Sequence, residues 1–282
     1  MVAYKQVWQV VRCLFIWGWI FLSVIACQEK PVSDIHKTSL GEEAVQSKSN
    51  ETRNQAESLP LLTTQNAQKV LGQYAKTQVS NHVSLETRLG TMVIRLYDQT
   101  PLHRANFLQL VARGYYDGTV FHRVVKDMII QGGNLDDPVI RKKKNAIGKY
   151  FVPAEFKPAQ YIHKKGAIAS PRHDENNPEM LSSPFEFYIV QGAPVPPAIA
   201  QALGRENGLT YSATQIQTYA TLGGLPHLDN KYTVFGEVVE GLEVIDRIAA
   251  LEVDKSDDWP LEDVVIQARL LPADYKPKAK LP

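Results

Sequence analysis

Apolar and polar positions fall into distinct periods along this chain, and the changes of period mark its segments. An uncharged apolar run, CLFIWGWIFLSVIA at residues 13 to 26, comes first. Residues 28 to 60 then hold no aromatic residue and few aliphatic ones, too little apolar surface to offset the cost of ordering, and read as a tether. From Thr63 the period becomes helical: Ala67, Val70, Leu71, Tyr74 and Ala75 follow i, i+3, i+4, i+7, i+8 behind a threonine cap, so residues 61 to 81 are expected to form an amphipathic helix with its lead-in. A period of two follows. Val83, Leu85 and Thr87 alternate with polar residues, Leu89-Gly90 makes a turn, and Met92, Ile94 and Leu96 alternate on its far side, a hairpin pattern.

Next comes a helix, with Thr100 as cap, Pro101 at the first position, Ala105, Leu108, Val111 and Ala112 along one face, and Gly114 as the stop. Further strands are legible at residues 185 to 190, 232 to 239 and 264 to 270, and a second helix at 242 to 251. Strands and helices do not alternate, which argues against a parallel sheet. The expected fold is mostly β: a closed eight-stranded antiparallel barrel carrying two helices, spanning residues 82 to 272, with a tail at 273 to 282. Between Gln191 and Gly224 lies an excursion, proline-rich in its first part and helix-compatible in its second, read as a decorated loop (191–224) on the barrel.

The length of 282 residues and the 44% hydrophobic content support one domain of about 200 residues with appendages. With 31 basic against 30 acidic residues the net charge is +1, so no global field recruits nucleic acid. The run Arg141, Lys142, Lys143, Lys144 is a local exception, and it reads as a solvated loop because no aromatic residue interleaves with it. Lys5 and Arg12 precede the first apolar run, which is short for a span of about 20 residues, so residues 1 to 27 read as a targeting segment. The alternative is an uncleaved membrane helix; either places the remainder outside the cytoplasm. Only two cysteines are present, Cys13 and Cys27, both at or before the end of that segment. There is no Gly-x-Ser-x-Gly elbow, no His-Glu-x-x-His and no phosphate loop, and the seven histidines are scattered.

One stretch stands apart. FHRVVKDMIIQGGN, residues 121 to 134, sets His122, Arg123 and Gln131 among strand-forming aliphatic residues, where an arginine needs a reason. Four blocks, LGTMVIRLYDQTPLHRANFLQL, YYDGTVFHRVVKDMIIQGGN, SSPFEFYIVQG and LDNKYTVFGEVVEGLEVIDRI, resemble the cyclophilin family of peptidyl-prolyl isomerases, in family order and over roughly two thirds of the chain. The resemblance implies a solid barrel with a helix over each end and an active face on its outside. Strand parity sets Ile129 and Gln131 on one face, with Met128 and Ile130 on the other.

Carried onto this sequence, the resemblance makes Arg123 the donor that favours a twisted prolyl amide, with Gln131 orienting it or binding substrate backbone. It implies a proline pocket of Met128, Ile129, Tyr188 and Leu228 supported by Phe187, with Glu186, His227 and Tyr232 at further substrate-binding positions. Met128 and Tyr188 stand where phenylalanine is usual, Tyr232 where histidine is, His227 where tryptophan is, Glu186 where glutamine is, and Pro171-Arg172 where Ala-Asn is common. A carboxylate at 186 near Arg123 would compete for the guanidinium and slow turnover.

The implied activity is isomerisation of X-Pro bonds in unfolded or extended polypeptides by a monomer that needs no cofactor and no metal. A proline-peptide-binding chaperone without that rate is the alternative, and a purely structural envelope lipoprotein a third. Val24-Ile25-Ala26-Cys27 resembles the bacterial lipobox, implying a lipid anchor on Cys27, a periplasm-facing address and, from the glutamine after it, the outer membrane.

Overall fold

The computed structural model describes residues 54 to 278. The targeting segment, Cys27 and most of the tether lie outside the described residues. In chain order the strands are β1 (Leu62–Thr63), β2 (His82–Thr87), β3 (Gly90–Leu96), β4 (Val120–Val125), β5 (Ile129–Asn134), β6 (Gly148–Lys149), β7 (Ala167–Ala169), β8 (Phe187–Val190), β9 (Val234–Glu240) and β10 (Gln267–Leu270). The helices are α1 (Ala67–Thr77), α2 (Pro101–Ala112), α3 (Pro138–Ile147), α4 (Pro197–Glu206), α5 (Ala213–Thr221) and α6 (Leu242–Ala249).

Eight strands form one antiparallel sheet in the order β10-β2-β3-β9-β7-β8-β5-β4. The expected closed barrel is corrected to an open ladder whose two edges, β4 and β10, meet at the single bridge Val120–Val265. The reason is local. Residues 264 to 266 run beside β4 and exchange a few backbone bonds with it, such as Phe121 N to Val264 O at 3.1 Å, before the chain turns to pair with β2. The anticipated hairpin forms with Val83 opposite Ile94 and Leu85 opposite Met92, all four buried.

The interior is packed by one face of each strand: Val83, Leu85, Met92, Ile94, Phe121, Ile130, Phe187, Ile189 and Phe235. Helices α2 and α6 supply Phe107, Leu108 and Leu110, and Val244, Ile245 and Ile248, to the same core. The N-terminus of α2 is not capped by Thr100. Instead the Glu155 carboxylate accepts from the backbone N–H groups of Leu102 and His103 at 3.0 and 2.9 Å, a tertiary cap that satisfies the same orphan donors. Likewise Asn66, not a threonine, precedes α1, which buries Ala67, Leu71 and Tyr74.

The tether reading stops short of residue 60, since Ala56 is buried in the core and Gln55 reaches Gln78 at 3.4 Å. The basic run is not a loop: it lies in α3, where Asp137 caps Val139 and Ile140, and Lys143 donates to the carbonyls of Gly114 and Asp117 at 2.7 Å. The excursion holds two helices, α4 and α5, with a small core of their own from Ala200, Tyr211 and Tyr219 against Ile162. The tail folds back, with Tyr275 donating to Glu240 at 2.8 Å.

Candidate active site

The outer face of the sheet carries the groove. On β5 and β8 the pleat sends Ile130, Phe187 and Ile189 inward, while Ile129, Gln131, Tyr188 and Val190 point out. Strand β4 brings Arg123 directly opposite Gln131, and Gln131 in turn lies opposite Tyr188. The two glycines after Gln131 are steric requirements. A side chain at Gly132 would meet Phe121 and Ile266 at 3.0 Å, and at Gly133, where φ is 94°, it would lie 2.5 Å from the Phe185 carbonyl.

The groove has a volume of about 320 Å³, at the lower end of the range of small-ligand pockets. Met128, Ile129, Tyr188, Leu228 and Tyr232, packed in one cluster, form its apolar lining, and Arg123, Gln131, Arg172 and Glu186 are among its polar lining. Met128 therefore joins Ile129 in the groove. Its expected position on the opposite face is corrected, because it sits in the turn before β5, where strand parity does not apply. Two other expected binding residues lie elsewhere. Phe187 is fully buried in the barrel interior, edge-on to Phe107 and Tyr116, so it backs the sheet from within and does not meet the groove. His227 lies in a single 3-10 turn at Pro226–Leu228 and is not among the groove-lining residues. Burial, followed by the charges of His163 and Lys231, lowers its pKa.

The expected competition between Glu186 and Arg123 is also corrected. Glu186 accepts from Gln131 at 2.9 Å and from Asn134 at 3.1 Å, and faces His122 Nε2 at 3.6 Å. Burial pushes its carboxyl up, but the hydrogen bonds from His122 and Gln131 and the charges of His122 and Lys144 together hold it below the usual carboxylate value. The carboxylate that meets Arg123 is Asp258, with Nε to Oδ2 at 3.4 Å and both side chains about two-fifths exposed. Asp258 sits in the loop before β10 at a positive φ of 63°, and its carbonyl accepts from Val124 N at 2.8 Å, which fastens that loop to β4. Nothing in the spacing of residues 252 to 263 marks it.

Arg172 was noted from sequence only as a departure from the family pattern, and it too lines the groove. Its guanidinium lies 4.7 Å from the Tyr232 ring centroid and bonds Asp174 at 2.9 Å, and Tyr232 is edge-on to Tyr188 at 6.1 Å. Pro171, His173 and Ser183 complete the rim.

The site is thus an exterior groove on an antiparallel sheet, lined by apolar side chains and by a strand-borne arginine and glutamine. The family model described as cyclophilin type peptidyl-prolyl cis-trans isomerase/CLD matches residues 82–269, and the chain belongs to that family. Among similar proteins, a putative bifunctional phosphatase/peptidyl-prolyl cis-trans isomerase of Streptococcus pyogenes is 35% identical over 204 residues, covering 69% of this chain. This chain spans only 40% of that protein's length. A putative peptidyl-prolyl cis-trans isomerase of Staphylococcus saprophyticus is 32% identical over 187 residues, covering 65% of this chain and 88% of that protein. A crystal structure of a cyclophilin type isomerase from Cryptosporidium parvum aligns with a TM-score of 0.49 at 23% identity, over 68% of this chain and 98% of that one.

Proposed function

We propose that this chain catalyses cis-trans isomerisation of X-Pro bonds in extended polypeptides, with Arg123 as the catalytic donor. The observation that carries the reading is the register that sets Arg123 opposite Gln131 in a groove with an apolar lining. Rotation about a peptide bond faces about 18–20 kcal/mol because amide resonance must break, while at proline the two ground states differ little. No nucleophile, metal or proton relay is needed. In the twisted state the proline nitrogen regains its lone pair, so a fixed guanidinium stabilises that state more than either planar form.

A 10⁵-fold acceleration corresponds to about 7 kcal/mol, and one charge-assisted hydrogen bond supplies about 1.5–3 kcal/mol. The remainder falls to the apolar lining, which grips the proline ring and holds the twist in a desolvated geometry. Met128, Ile129, Tyr188, Leu228 and Tyr232 form that grip. Because Gln131 donates to Glu186, its carbonyl oxygen is the end left for a peptide N–H or for Arg123. Glu186 thus acts through Gln131, while His227 and Phe187 have no direct role.

Exchange NMR on a short X-Pro peptide tests this. Arg123→Ala is expected to slow exchange by about 10- to 100-fold while the peptide still binds. Exchange at the parent rate in that variant would remove Arg123 from the mechanism. The Arg123–Asp258 pair favours a second reading, a proline-peptide binder whose donor is occupied, and binding without exchange in the parent protein would select it.

The apolar run at residues 13 to 26 and the following Cys27 support a lipid-anchored protein of the cell envelope, facing the periplasm from the outer membrane and working there as a monomer on proline-containing clients. Labelled fatty acid is then expected to be incorporated into the parent and not into Cys27→Ser. A parent that takes up no label refutes the anchor.

A further inference from the structure

The 191–224 excursion is tied to the proline pocket by a buried chain of hydrogen bonds. Tyr211 and Tyr219, which build the small core of the excursion, both donate their hydroxyls to Asp229 Oδ2, at 2.6 and 2.5 Å. The other oxygen of Asp229 accepts from the His163 backbone N–H at 2.8 Å and meets His163 Nδ1 at 2.6 Å. In the neutral tautomer that donates Nδ1–H to the carboxylate, Nε2 accepts, and the Tyr188 hydroxyl lies 3.0 Å from it. The His163 and Tyr188 rings are nearly parallel, 14° apart at 6.1 Å between centroids. Asp229 and His163 are 0% and 1% exposed. Two oxygens thus take four donors, and the buried carboxylate is satisfied only while both tyrosines of the excursion stay in place.

This chain of bonds answers how a tyrosine stands in the pocket wall without making it polar. Its hydroxyl is spent behind the groove on His163, so the groove meets only the ring. Burial, then the charges of Tyr232 and Asp229, pushes Tyr188 well above the usual tyrosine value, which keeps that proton on the hydroxyl as a donor. A second tie holds the 3-10 turn that carries Leu228: Asn207 Nδ2 donates to the Pro226 carbonyl at 3.0 Å, and the Tyr211 hydroxyl, whose proton goes to Asp229, lies 3.2 Å from the same carbonyl.

We propose that the excursion sets the shape of the proline pocket, with Tyr211 and Tyr219 as positioning residues that act through Asp229 and His163 on Tyr188. This rests on the groove being the proline site. Losing the Tyr219 hydroxyl leaves one acceptor of Asp229 short, loosens the His163 ring and with it the anchor of Tyr188. The effect of Tyr219 reaches the pocket through the Tyr188 hydroxyl, which separates positioning from general support.

A double-mutant cycle in the full-length protein tests the coupling. Tyr219→Phe, Tyr188→Phe and the double variant are compared by dissociation constant for an Ala-Pro tetrapeptide, by the ¹³C-methyl NMR signal of Met128, and by thermal midpoint. In the parent, Tyr219→Phe is expected to weaken peptide binding by about two- to tenfold and to shift the Met128 signal. In the Tyr188→Phe background it is expected to lower the thermal midpoint again while leaving affinity and the Met128 signal unmoved. Equal effects in both backgrounds, or an unmoved Met128 signal in the parent, overturn the proposal. If Tyr219→Phe does not fold, Tyr211→Phe carries the cycle through the same Oδ2, with Asn207→Ala as the control for the separate tie to the Pro226 carbonyl: an effect of Tyr211→Phe no larger than that of the control overturns the proposal. A parent protein that binds no peptide would sink the reading of the groove, and the Met128 signal would still decide the coupling.

Discussion

Arg123 meets a carboxylate, and the energetics of that meeting decide whether its donors stay available. The Asp258 pair is 3.4 Å apart and well exposed on both sides, so solvent screens it to about 0–1 kcal/mol, less than a charged hydrogen bond formed inside a closed complex. Asp258 meets the guanidinium at Nε, and in the proposed mechanism the terminal nitrogens are the ones that would face substrate. Asp258→Ala is expected to lower kcat/KM by less than about fivefold, against the larger loss in Arg123→Ala. A steady-state comparison of the two variants checks it, and a rise in rate would mean the carboxylate inhibits. Ile129 and Gln131 were placed by strand parity and the motif together, Arg123 by the motif, and Tyr188 by the resemblance alone; all four line the groove. Asp258 was not legible, since a loop aspartate carries no period and its role depends on which strand the loop crosses. Phe187 was misassigned for a related reason. Parity sets neighbours on one strand to opposite faces, and with Tyr188 in the groove Phe187 belongs to the core.

Elements were readable where an apolar period ran long enough. The hairpin β2–β3 and the helices α1, α2 and α6 appear where periodicity set them, with ends shifted by a few residues. Helix α3 was missed because four of its ten residues are Arg141 to Lys144, so charge masks the apolar positions Ile140 and Ile147. Its basic side chains are used locally: Lys143 closes two backbone carbonyls of the turn after α2, and Lys144 reaches Asn134 at the end of β5. The caps show the limit of local rules. Thr100 and Thr63 were good candidates by type, yet Glu155 from a distant loop satisfies the start of α2. The helices of the excursion gain their purpose only through Asp229, which no reading of residues 191 to 224 alone contains.

At the scale of the molecule, buried acids shape the response to pH. Glu237 is pushed up by burial, but Lys164 and Arg95 overcome that and hold it below its usual value, as His122, Gln131 and Lys144 do for Glu186. A depressed folded-state pKa contributes stability that is present above the unfolded value, 4.5 for glutamate, and is lost as pH falls through the lower folded value. The thermal midpoint is therefore expected to begin falling below about pH 6.5, where His82 and His227, held below their usual values mainly by burial, resist the proton that the unfolded chain takes up, and to fall more steeply below about 4.5 as the carboxylates protonate. A midpoint unchanged down to pH 3 would show these carboxylates to be no better placed in the fold than in the unfolded chain.

The sequence by itself determined many of the strand and helix periods and the motif that sets Arg123 beside Gln131, because each depends on spacing along one or two neighbouring elements. Tertiary structure alone decided that the sheet edges meet at one bridge without closing, that Arg123 faces Asp258 while Glu186 is held by Gln131 and Asn134, and that Tyr219 reaches Tyr188 through Asp229 and His163. Those contacts join residues from ten to well over a hundred positions apart, and their partners are chosen by where the folded backbone crosses itself, a property no local period encodes.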